Sequence, residues 1–355
     1  MPGCQIPHFG LARQYKNIGE ELLDATHRAL KDGQLVGGHY TRSFEEWLKH
    51  HTATKYAITV HSGTQALEII ARWKKIKHNE TVDGNPKICL PNLTYPATLN
   101  AFLNAGWDVE LVDTDKNGIL KFGSRLGTPT YDCLVGLYGM KPWEQAKIEN
   151  SYGVIVDGAQ HWLVCGGQVG SGMAISFDPT KNLPSSGNGG AIVTNDEKLY
   201  LYASSYRDNN KPYFHNVGTN TKMSEQDCAQ ILVRAKYIDE WQKRRSKIAK
   251  YWCDAFKELP LRCLSDTADP HAHQKFVVYL DDRNALNSHL KTNGIDTKVH
   301  YEYVLGDLPT AKNLNKPDML STSVMLSRGV LSLPMYPELT DVEVQYIADK
   351  VKSFY

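Results

Sequence analysis

The sequence lacks the long apolar runs of membrane and secreted proteins. Nowhere do about 18 uncharged apolar residues follow one another, which is the length that a membrane-spanning helix needs. The polar start Met1-Pro2-Gly3-Cys4 is not followed by the apolar region of a secretion signal. We therefore expect no membrane partner and a cytoplasmic location.

An excess of charge of one sign is missing as well. Lys and Arg together number 40 and Asp and Glu 39, so the formal net charge is +1. Domains that bind nucleic acid usually carry a basic surplus or a basic stripe. The short patch Lys243-Arg244-Arg245 is more typical of a solvated helix face. We therefore expect no nucleic acid among the partners.

Paired cysteines and metal-ligand clusters are not evident in the sequence. The seven cysteines are scattered without a C-x-x-C pair, which is typical of reduced and mostly buried thiols. Among 13 histidines, His50-His51 and His271-Ala272-His273 have no carboxylate or thiolate at ligand spacing. Adjacent histidines diverge on a helix and Pro270 indicates a loop, so we interpret both groups as solvated surface and predict no metal site.

Alternating strand and helix patterns fill the first half of the chain. With 355 residues and 41% hydrophobic content, the chain can bury a large core and form two domains, which we predict at 1–235 and 236–355. The alternation predicts an α/β fold, with a mainly parallel sheet that helices cover on both sides. Strands are predicted over 56–61, 87–90, 108–112, 133–137, 153–157, 173–177 and 190–194.

The second half predicts a smaller α/β domain. From Ser224, a predicted N-cap, apolar side chains recur at helical spacing as far as Phe256, which predicts one long helix between the domains. Strands are predicted over 274–279 and near 298–301. Thr340 and Glu343 form the T-x-x-E pattern of a capping box, so a final helix should begin there.

The most informative segment joins a buried strand to an acid and, further on, to a lysine. The run Val154-Ile155-Val156 ends in Asp157, at the kind of strand end where open α/β sheets bind ligands. A carboxylate there can keep the pyridine nitrogen of pyridoxal 5'-phosphate protonated, so that the ring can accept electrons. Gln160 could hydrogen-bond the ring hydroxyl, and Lys181 could form the Schiff base and carry protons, with a pKa lowered by burial. Alone, either Asp157 or Lys181 would more often be a turn former or a solvated side chain.

A second segment offers a phosphate site. Residues 55–61 predict a strand, Ser62-Gly63-Thr64 a tight turn, and 65–73 a helix. The first amides of such a helix lack internal partners and bind phosphate, with Gly63 permitting close approach and Thr64 adding a hydroxyl. Ser176 is a further candidate donor to the phosphate. Ser-Gly-Thr by itself is as typical of an ordinary helix cap.

Motifs in a fixed order cover nearly the whole chain. They are Leu35-Val36-Gly37-Gly38, Ser43-Phe44-Glu45-Glu46, Ser62-Gly63-Thr64-Gln65-Ala66-Leu67, Leu90-Pro91-Asn92-Leu93-Thr94-Tyr95-Pro96-Ala97-Thr98, Val112-Asp113-Thr114-Asp115, Asp157-Gly158-Ala159-Gln160, Ser176-Phe177-Asp178-Pro179-Thr180-Lys181-Asn182 and Leu331-Ser332-Leu333-Pro334-Met335-Tyr336-Pro337. In order and spacing they resemble the DegT/DnrJ/EryC1/StrS family of sugar aminotransferases, which are pyridoxal phosphate enzymes of fold type I. The resemblance implies that fold, with a large cofactor domain and a smaller C-terminal α/β domain.

The resemblance also implies a role for each matching residue. The ring nitrogen, ring hydroxyl, phosphate and Schiff-base positions fall on Asp157, Gln160, Ser176 and Lys181. Tyr95 matches the residue that stacks on the cofactor ring, although a core or turn tyrosine would fit its sequence position equally well. Asn220 matches an asparagine that reaches the phosphate of the neighbouring subunit, which implies a homodimer with its active site at the interface.

Several residues depart from the family pattern. Thr221 and Lys222 stand where an aromatic residue and an arginine are usual, and the turn 186–190 carries no acid. His161-Trp162 replaces smaller residues, so we expect a bulkier wall there. The loop 209–221 either lies over the active site or is an ordinary exposed connection. His300 and Tyr301 are candidates for substrate contacts, with a structural histidine the more common alternative.

The resulting hypothesis is an aminotransferase that moves an amino group from glutamate or glutamine to a keto sugar, which we expect to be nucleotide-linked. Relatives that act as sugar dehydratases carry histidine at the Schiff-base position, whereas this chain has Lys181, which favours transamination. A regulatory protein that binds the cofactor without catalysis is the alternative of a different class, because of the substitutions after Asn220.

Overall fold

A central sheet of seven strands organises the larger part of the chain. The computed structural model describes residues 5–121, 130–142, 151–212, 217–265, 270–314 and 320–355. The strands of this sheet are β1 (Tyr56–Val60), β2 (Lys87–Pro91), β3 (Asp108–Val112), β4 (Thr130–Val135), β5 (Ser151–Asp157), β6 (Met173–Ser176) and β7 (Gly190–Thr194). Their spatial order is β1-β7-β6-β5-β4-β2-β3, and only β7 runs antiparallel to its neighbours. The predicted α/β fold with a mainly parallel sheet is confirmed.

Helices cover both faces of this sheet. They are α1 (Leu11–Lys31), α2 (His39–Thr52), α3 (Gly63–Asn79), α4 (Pro96–Asn104), α5 (Glu197–Tyr206) and α6 (Glu225–Ala235). Because side chains alternate along a strand, Ile155 of β5 enters the core with α3, α4 and α5, whereas Val154 and Val156 enter the core with α1, α2 and α6. Burial on both faces is why the central strands are apolar at nearly every position.

All seven strands predicted for the first half are present, with small shifts at their ends. The largest shift concerns the strand predicted over 133–137, which the structure places at Thr130–Val135. The chain turns after β4, where Leu137–Gly139 form a single 3-10 turn. The amide of Tyr138 at that turn donates to Gln160 Oε1 instead of continuing the sheet. The apolar pattern could not reveal where this pairing stops.

A second sheet of three strands lies in the C-terminal part. Its strands are β8 (Arg262–Cys263), β9 (Phe276–Tyr279) and β10 (Val330–Leu333), in the order β10-β9-β8, and the helices of this part are α7 (Ile238–Phe256), α8 (Arg283–Thr292), α9 (Ser321–Gly329) and α10 (Asp341–Lys352). Apolar side chains of β9, β10, α7, α8 and α10 share one core. The strand predicted over 274–279 is confirmed as β9. The domain bounds 1–235 and 236–355 stay a prediction.

The strand predicted near 298–301 is wrong. Only Lys298 pairs there, through a single bridge to Ser332. Beyond Lys298 the contacts run through side chains instead of a backbone ladder: the His300 ring hydrogen-bonds Ser332 Oγ of β10 at 2.8 Å, and the Tyr301 hydroxyl accepts from Gln160 Nε2 at 3.1 Å. The sequence analysis did not predict β8 and β10.

The single long helix predicted from Ser224 is also wrong. Ser224 caps a helix as predicted, by accepting from the amide of Asp227 at 3.1 Å. That helix, α6, ends at Ala235, because Lys236 and Tyr237 bond to carbonyls three residues back and tighten the last turn. A new helix, α7, follows from Ile238. Since apolar spacing near 3.6 continues across the break, the periodicity did not reveal it.

The last helix begins as predicted. Thr340 Oγ1 accepts from the amide of Glu343, and the Glu343 carboxylate accepts from the amide of Thr340, which completes the capping box of α10. The six cysteines within the described ranges are all free, and four of them are buried. In those same ranges no helix is both long and apolar enough to cross a bilayer.

Candidate active site

A cavity of about 400 Å³ lies at the carboxyl ends of the central strands. Parallel strands present their carboxyl ends at one edge, which is where open α/β sheets bind ligands. The predicted site residues that line the cavity are Gly63, Thr64, Tyr95, Asp157, Gln160, Ser176 and Lys181. One predicted residue, Asn220, lies outside it. Segments far apart in the sequence therefore meet at one place.

Asp157 stands at the end of β5 and is held by two donors. Thr98 donates its hydroxyl to Oδ2 at 2.8 Å, and the amide of Ala159 donates to Oδ1 at 3.1 Å. Burial raises the pKa of Asp157, while these two hydrogen bonds and the charge of Lys181 oppose the rise. The carboxylate is thus fixed in direction and keeps lone pairs for a further donor in the cavity.

The start of α3 forms a tight cradle beside β6 and β7. Ser62 caps the helix by accepting from the amide of Gln65 at 3.2 Å. The amides of Gly63 and Thr64 belong to the first turn, where no intrahelical acceptor exists, and both residues line the cavity. A Cβ on Gly63 would lie 2.7 Å from the Ser176 Cβ. Only glycine allows the helix start and Ser176 to approach so closely.

Lys181 lies in a turn that contacts both parts of the chain. Its amide donates to the carbonyl of Asp178 at 2.9 Å. Its neighbours Thr180 and Asn182 are tied to the loop before β9, since Gln274 Nε2 donates to the Thr180 carbonyl and Asn182 Nδ2 to the Ala272 carbonyl. Burial lowers the pKa of Lys181, as predicted, and the charges of Asp157 and Asp178 oppose the lowering. A lysine with a lowered pKa spends more time as a neutral, nucleophilic amine.

Gln160 connects the two parts of the chain at the cavity wall. Its Oε1 accepts from the amide of Tyr138 at 2.6 Å, and its Nε2 donates to the Tyr301 hydroxyl at 3.1 Å. The amide group is therefore fixed in orientation, with one N–H still available for a ligand. Tyr95 is 57% exposed at the cavity, and its ring centre lies 5.8 Å from that of Tyr301.

Asn220 is exposed and does not line the cavity of its own chain. Its backbone forms a bridge with Asp208, and the amide of His61, just after β1, donates to the Thr221 carbonyl at 2.7 Å. Lys222 pairs with the Asp208 carboxylate. The predicted loop 209–221 is thus anchored at both ends, and its residues 213–216 lie outside the described ranges.

Two expectations about neighbouring residues are wrong. Trp162 does not form a wall of the cavity, because it turns into the core and packs edge-on against Trp47 and Phe177. His271 is not solvated: it is buried, and its ring stacks on His273 with centres 4.3 Å apart. Sequence-local arguments about helices and loops gave no information on this packing.

One residue that lines the cavity, Lys275, and two that hold its lining residues, Thr98 and Tyr138, were not predicted. Thr98 holds Asp157, the Tyr138 hydroxyl donates to the His300 carbonyl at 2.6 Å, and Lys275 lines the wall beside Lys181. Thr98 belongs to the motif 90–98, so its place just after a strand could have indicated that it lies near the site. For the other two, no pattern in the sequence pointed to the cavity.

The fold, with a lysine and a buried carboxylate that face one cavity, defines the class of fold type I aminotransferases. The profile of the DegT/DnrJ/EryC1/StrS aminotransferase family matches residues 16–120 and 151–352. The chain belongs to this family, and it is an aminotransferase.

Similar proteins span the whole chain. The dTDP-3-amino-3,4,6-trideoxy-alpha-D-glucose transaminase of Streptomyces venezuelae is 29% identical over 371 residues, with 99% of this chain and 96% of the relative covered. A pleiotropic regulatory protein of Geobacillus stearothermophilus is 27% identical over 372 residues, with 99% and 98% covered. The crystal structure of S. venezuelae DesV in complex with a ketimine intermediate has a TM-score of 0.88 at 26% identity, with 99% of this chain and 98% of that chain covered.

Proposed function

We propose that the protein is a pyridoxal phosphate-dependent aminotransferase that delivers an amino group to the keto group of a nucleotide-linked sugar. The main support for this proposal is that Lys181 and Asp157 line one cavity together with Gly63 and Thr64 at the start of α3. The sugar is supported by relatives whose names describe transaminases of dTDP- and UDP-linked sugars. Glutamate or glutamine is the proposed amino donor.

The residues present fit the cofactor. The amides of Gly63 and Thr64 and the hydroxyl of Ser176 would hold its phosphate, since a helix N-terminus attracts an anion. A Cβ on Gly190 would lie 2.5 Å from the Gly63 nitrogen. The start of α3 can therefore keep its position only because residue 190 has no side chain. Tyr95, at the cavity and exposed, would stack on the ring.

Asp157, Gln160 and Lys181 would then act on the bound ring. The cofactor, when bound, supplies an electron sink for the electrons released when the donor loses its α-proton. Asp157 would hold a proton at the ring nitrogen, and the free N–H of Gln160 would hydrogen-bond the ring hydroxyl. Lys181 Nζ would attach the cofactor covalently, and after release it would take the proton from the substrate carbon. Its lowered pKa favours the neutral amine that this step needs.

The subunit arrangement is proposed as a homodimer in which Asn220 serves the partner's site. Asn220 is exposed and outside its own cavity, and Tyr95 is exposed at the mouth. Mixing refolded Lys181→Ala and Asn220→Ala chains tests this arrangement. If the two residues come from different subunits, each mixed dimer contains one intact site, and activity returns. If both residues serve the same subunit, no intact site forms, and the mixture stays as inactive as its components.

Lysine identity is tested by borohydride reduction of the holoenzyme, followed by peptide mapping. We expect the cofactor on Lys181 and none on Lys275, the other lysine of the cavity. Lys181→Ala should abolish the labelling, and Lys181→Arg serves as the charge-matched control, which should also stay unlabelled. Labelling that persists in Lys181→Ala would show that another amine is the attachment point.

Catalysis is tested by adding glutamate or glutamine to the holoenzyme and measuring pyridoxamine phosphate by chromatography. Formation with either donor supports the aminotransferase function, and a screen of keto-sugar nucleotides against the aminated form then identifies the acceptor class. If neither glutamate nor glutamine reacts although the cofactor binds, the proposed donor is wrong.

A further inference from the structure

A second lysine, Lys275, lies in the cavity wall just before β9. Its side chain is only 5% exposed, and it lines both the main cavity and a narrower one behind it. The backbone is fixed, because the amide of Lys275 donates to the Tyr138 carbonyl at 3.1 Å. The same two cavities include Lys181 in their walls. The backbone of Lys275 is therefore fixed beside a cavity that Lys181 also lines.

The amino group of Lys275 has no ion-pair partner among the described residues, although the charge of Asp178 reaches it. It forms neither an ion pair nor a hydrogen bond there, and it stands 6.0 Å from the centre of the Phe9 ring. A desolvated ammonium without a paired anion is costly, so burial shifts the amine toward its neutral form. An anionic ligand in the cavity would supply the missing partner.

The groups that face Lys275 are mostly basic. Burial lowers its pKa well below the ordinary value, the charges of Lys181 and Arg245 lower it further, and Asp178 alone opposes them. Burial lowers the pKa of His8 and of His300, and the charge of Lys275 lowers both further. Arg245 cannot take the ligand in its place, because its guanidinium donates to the Met335 carbonyl at 2.8 Å and lies behind the main cavity.

The position of Lys275 beside Lys181 favours one kind of anionic ligand over the others. The cofactor phosphate already has the α3 cradle with Ser176. A nucleotide diphosphate is joined to the sugar several bonds from the carbon that reacts. The α-carboxylate of an amino acid, in contrast, is bonded directly to the reacting carbon, so it must lie close to Lys181. Among the described residues of the main cavity wall, only Lys181 and Lys275 are lysine or arginine.

We propose that Lys275 binds a substrate carboxylate, namely the α-carboxylate of the amino donor, and thereby orients the donor at Lys181. This inference rests on the proposed aminotransferase function. Lys275 is a specificity residue for anionic substrates in the cavity.

Binding of glutarate to the holoenzyme tests the proposal without catalysis. By titration calorimetry we expect Lys275→Met to weaken glutarate binding at least tenfold, whereas Lys275→Arg should retain most of it. Lys74→Met is the matched control, because burial also lowers the pKa of Lys74, which lies on α3 outside the cavity wall. Equal affinity of wild type and Lys275→Met for glutarate would overturn the proposal.

Proton uptake distinguishes ion pairing from a packing role. Because the pKa of Lys275 is lowered, part of its population is neutral before the anion arrives, and the anion raises that pKa. Glutarate binding to wild type should therefore take up protons, measured as a dependence of the binding enthalpy on the buffer's ionisation enthalpy. Lys275→Met should lose this uptake. Unchanged uptake in the variant would assign the proton to another group and contradict our proposal.

A uronic acid on the sugar is the other source of a carboxylate. UDP-glucuronate and UDP-glucose differ only in this group. If Lys275→Met loses the preference for UDP-glucuronate but binds glutarate normally, the donor assignment is wrong. Failure of this proposal can be told from failure of the proposed function. If borohydride does not label Lys181 but glutarate binding depends on Lys275, the proposed mechanism is wrong and the anion site stands. If Lys181 is labelled but glutarate binding does not depend on Lys275, the mechanism stands and the anion site is wrong.

Discussion

The hydroxyl of Thr98, on α4, donates a 2.8 Å hydrogen bond to Asp157 Oδ2 at the end of β5. Burial raises the pKa of Asp157, and this bond opposes the rise by stabilising the carboxylate. The acid that the proposed mechanism needs in its charged form therefore depends on a neighbouring helix. This dependence is open to a direct test.

Replacing Thr98 by Val should reduce kcat/KM for the amino donor about tenfold, since a hydrogen bond to a charged group contributes about 1.5 kcal/mol. Without the donor, the pKa of Asp157 rises further, so the acid limb of the pH profile should move to higher pH. The measurement is the rate of the glutamate half-reaction between pH 5 and 9. Thr98→Ser keeps the hydroxyl and should behave as wild type. An unmoved acid limb in Thr98→Val would mean that another group controls it.

The close approach behind the cradle predicts the effect of a single methyl group. A Cβ on Gly190 would lie 2.3 Å from the Ser62 carbonyl carbon, so Gly190→Ala should push the α3 start away from β7. We expect pyridoxal phosphate affinity to fall about tenfold or more, and stability to fall by about 1–3 kcal/mol. Gly187→Ala is the matched control, because nothing lies within 4 Å of its Cβ position. Similar cofactor affinities of the two variants would disprove the cradle assignment.

Glu225, the first residue of α6, is predicted to carry much of the stability of α2. Its buried carboxylate accepts from the amides of Gly38, Tyr40 and Thr41 at 2.8–3.0 Å. Glu225→Ala would leave these donors unpaired and should lower the free energy of unfolding by about 2–4 kcal/mol. Denaturant titration measures the loss. The exposed Glu46 offers a control, whose change to Ala should cost less than about 1 kcal/mol; equal losses would contradict the capping role.

Lys275 should make stability depend on pH. Its pKa in the folded chain is lowered below 10.5, so the unfolded chain binds more protons, and stability must rise with pH until the unfolded lysine loses its proton near 10.5. Lys275→Met removes this contribution. At pH 7 it should be more stable than wild type, because the variant has no buried amine that must lose its proton or stay charged on folding. Denaturant titrations between pH 7 and 9.5 should show a flatter slope for the variant, and parallel curves would refute the buried-charge assignment.

Much of the fold could be predicted because the central strands are buried on both faces. Continuous apolar runs such as Val154-Ile155-Val156 predict strands wherever they occur, and the structure confirms all seven. The errors fall where local patterns carry no signal. The break between α6 and α7 at Lys236 preserves the apolar spacing, and beyond Lys298 the side chains of His300 and Tyr301 contact Ser332 and Gln160, which lie far away in the sequence.

The sequence by itself determined the class of fold and the residue types at the cavity. Strand ends, a Ser-Gly-Thr turn and the spacing of Asp157, Gln160 and Lys181 are local features, and local sequence specifies them. Only the tertiary structure decided which other side chains meet them: Thr98 on Asp157, and Lys275 in the cavity wall with Lys181. The physical reason is that burial and charge at a site come from segments distant in the chain, and no periodicity within one segment records that proximity.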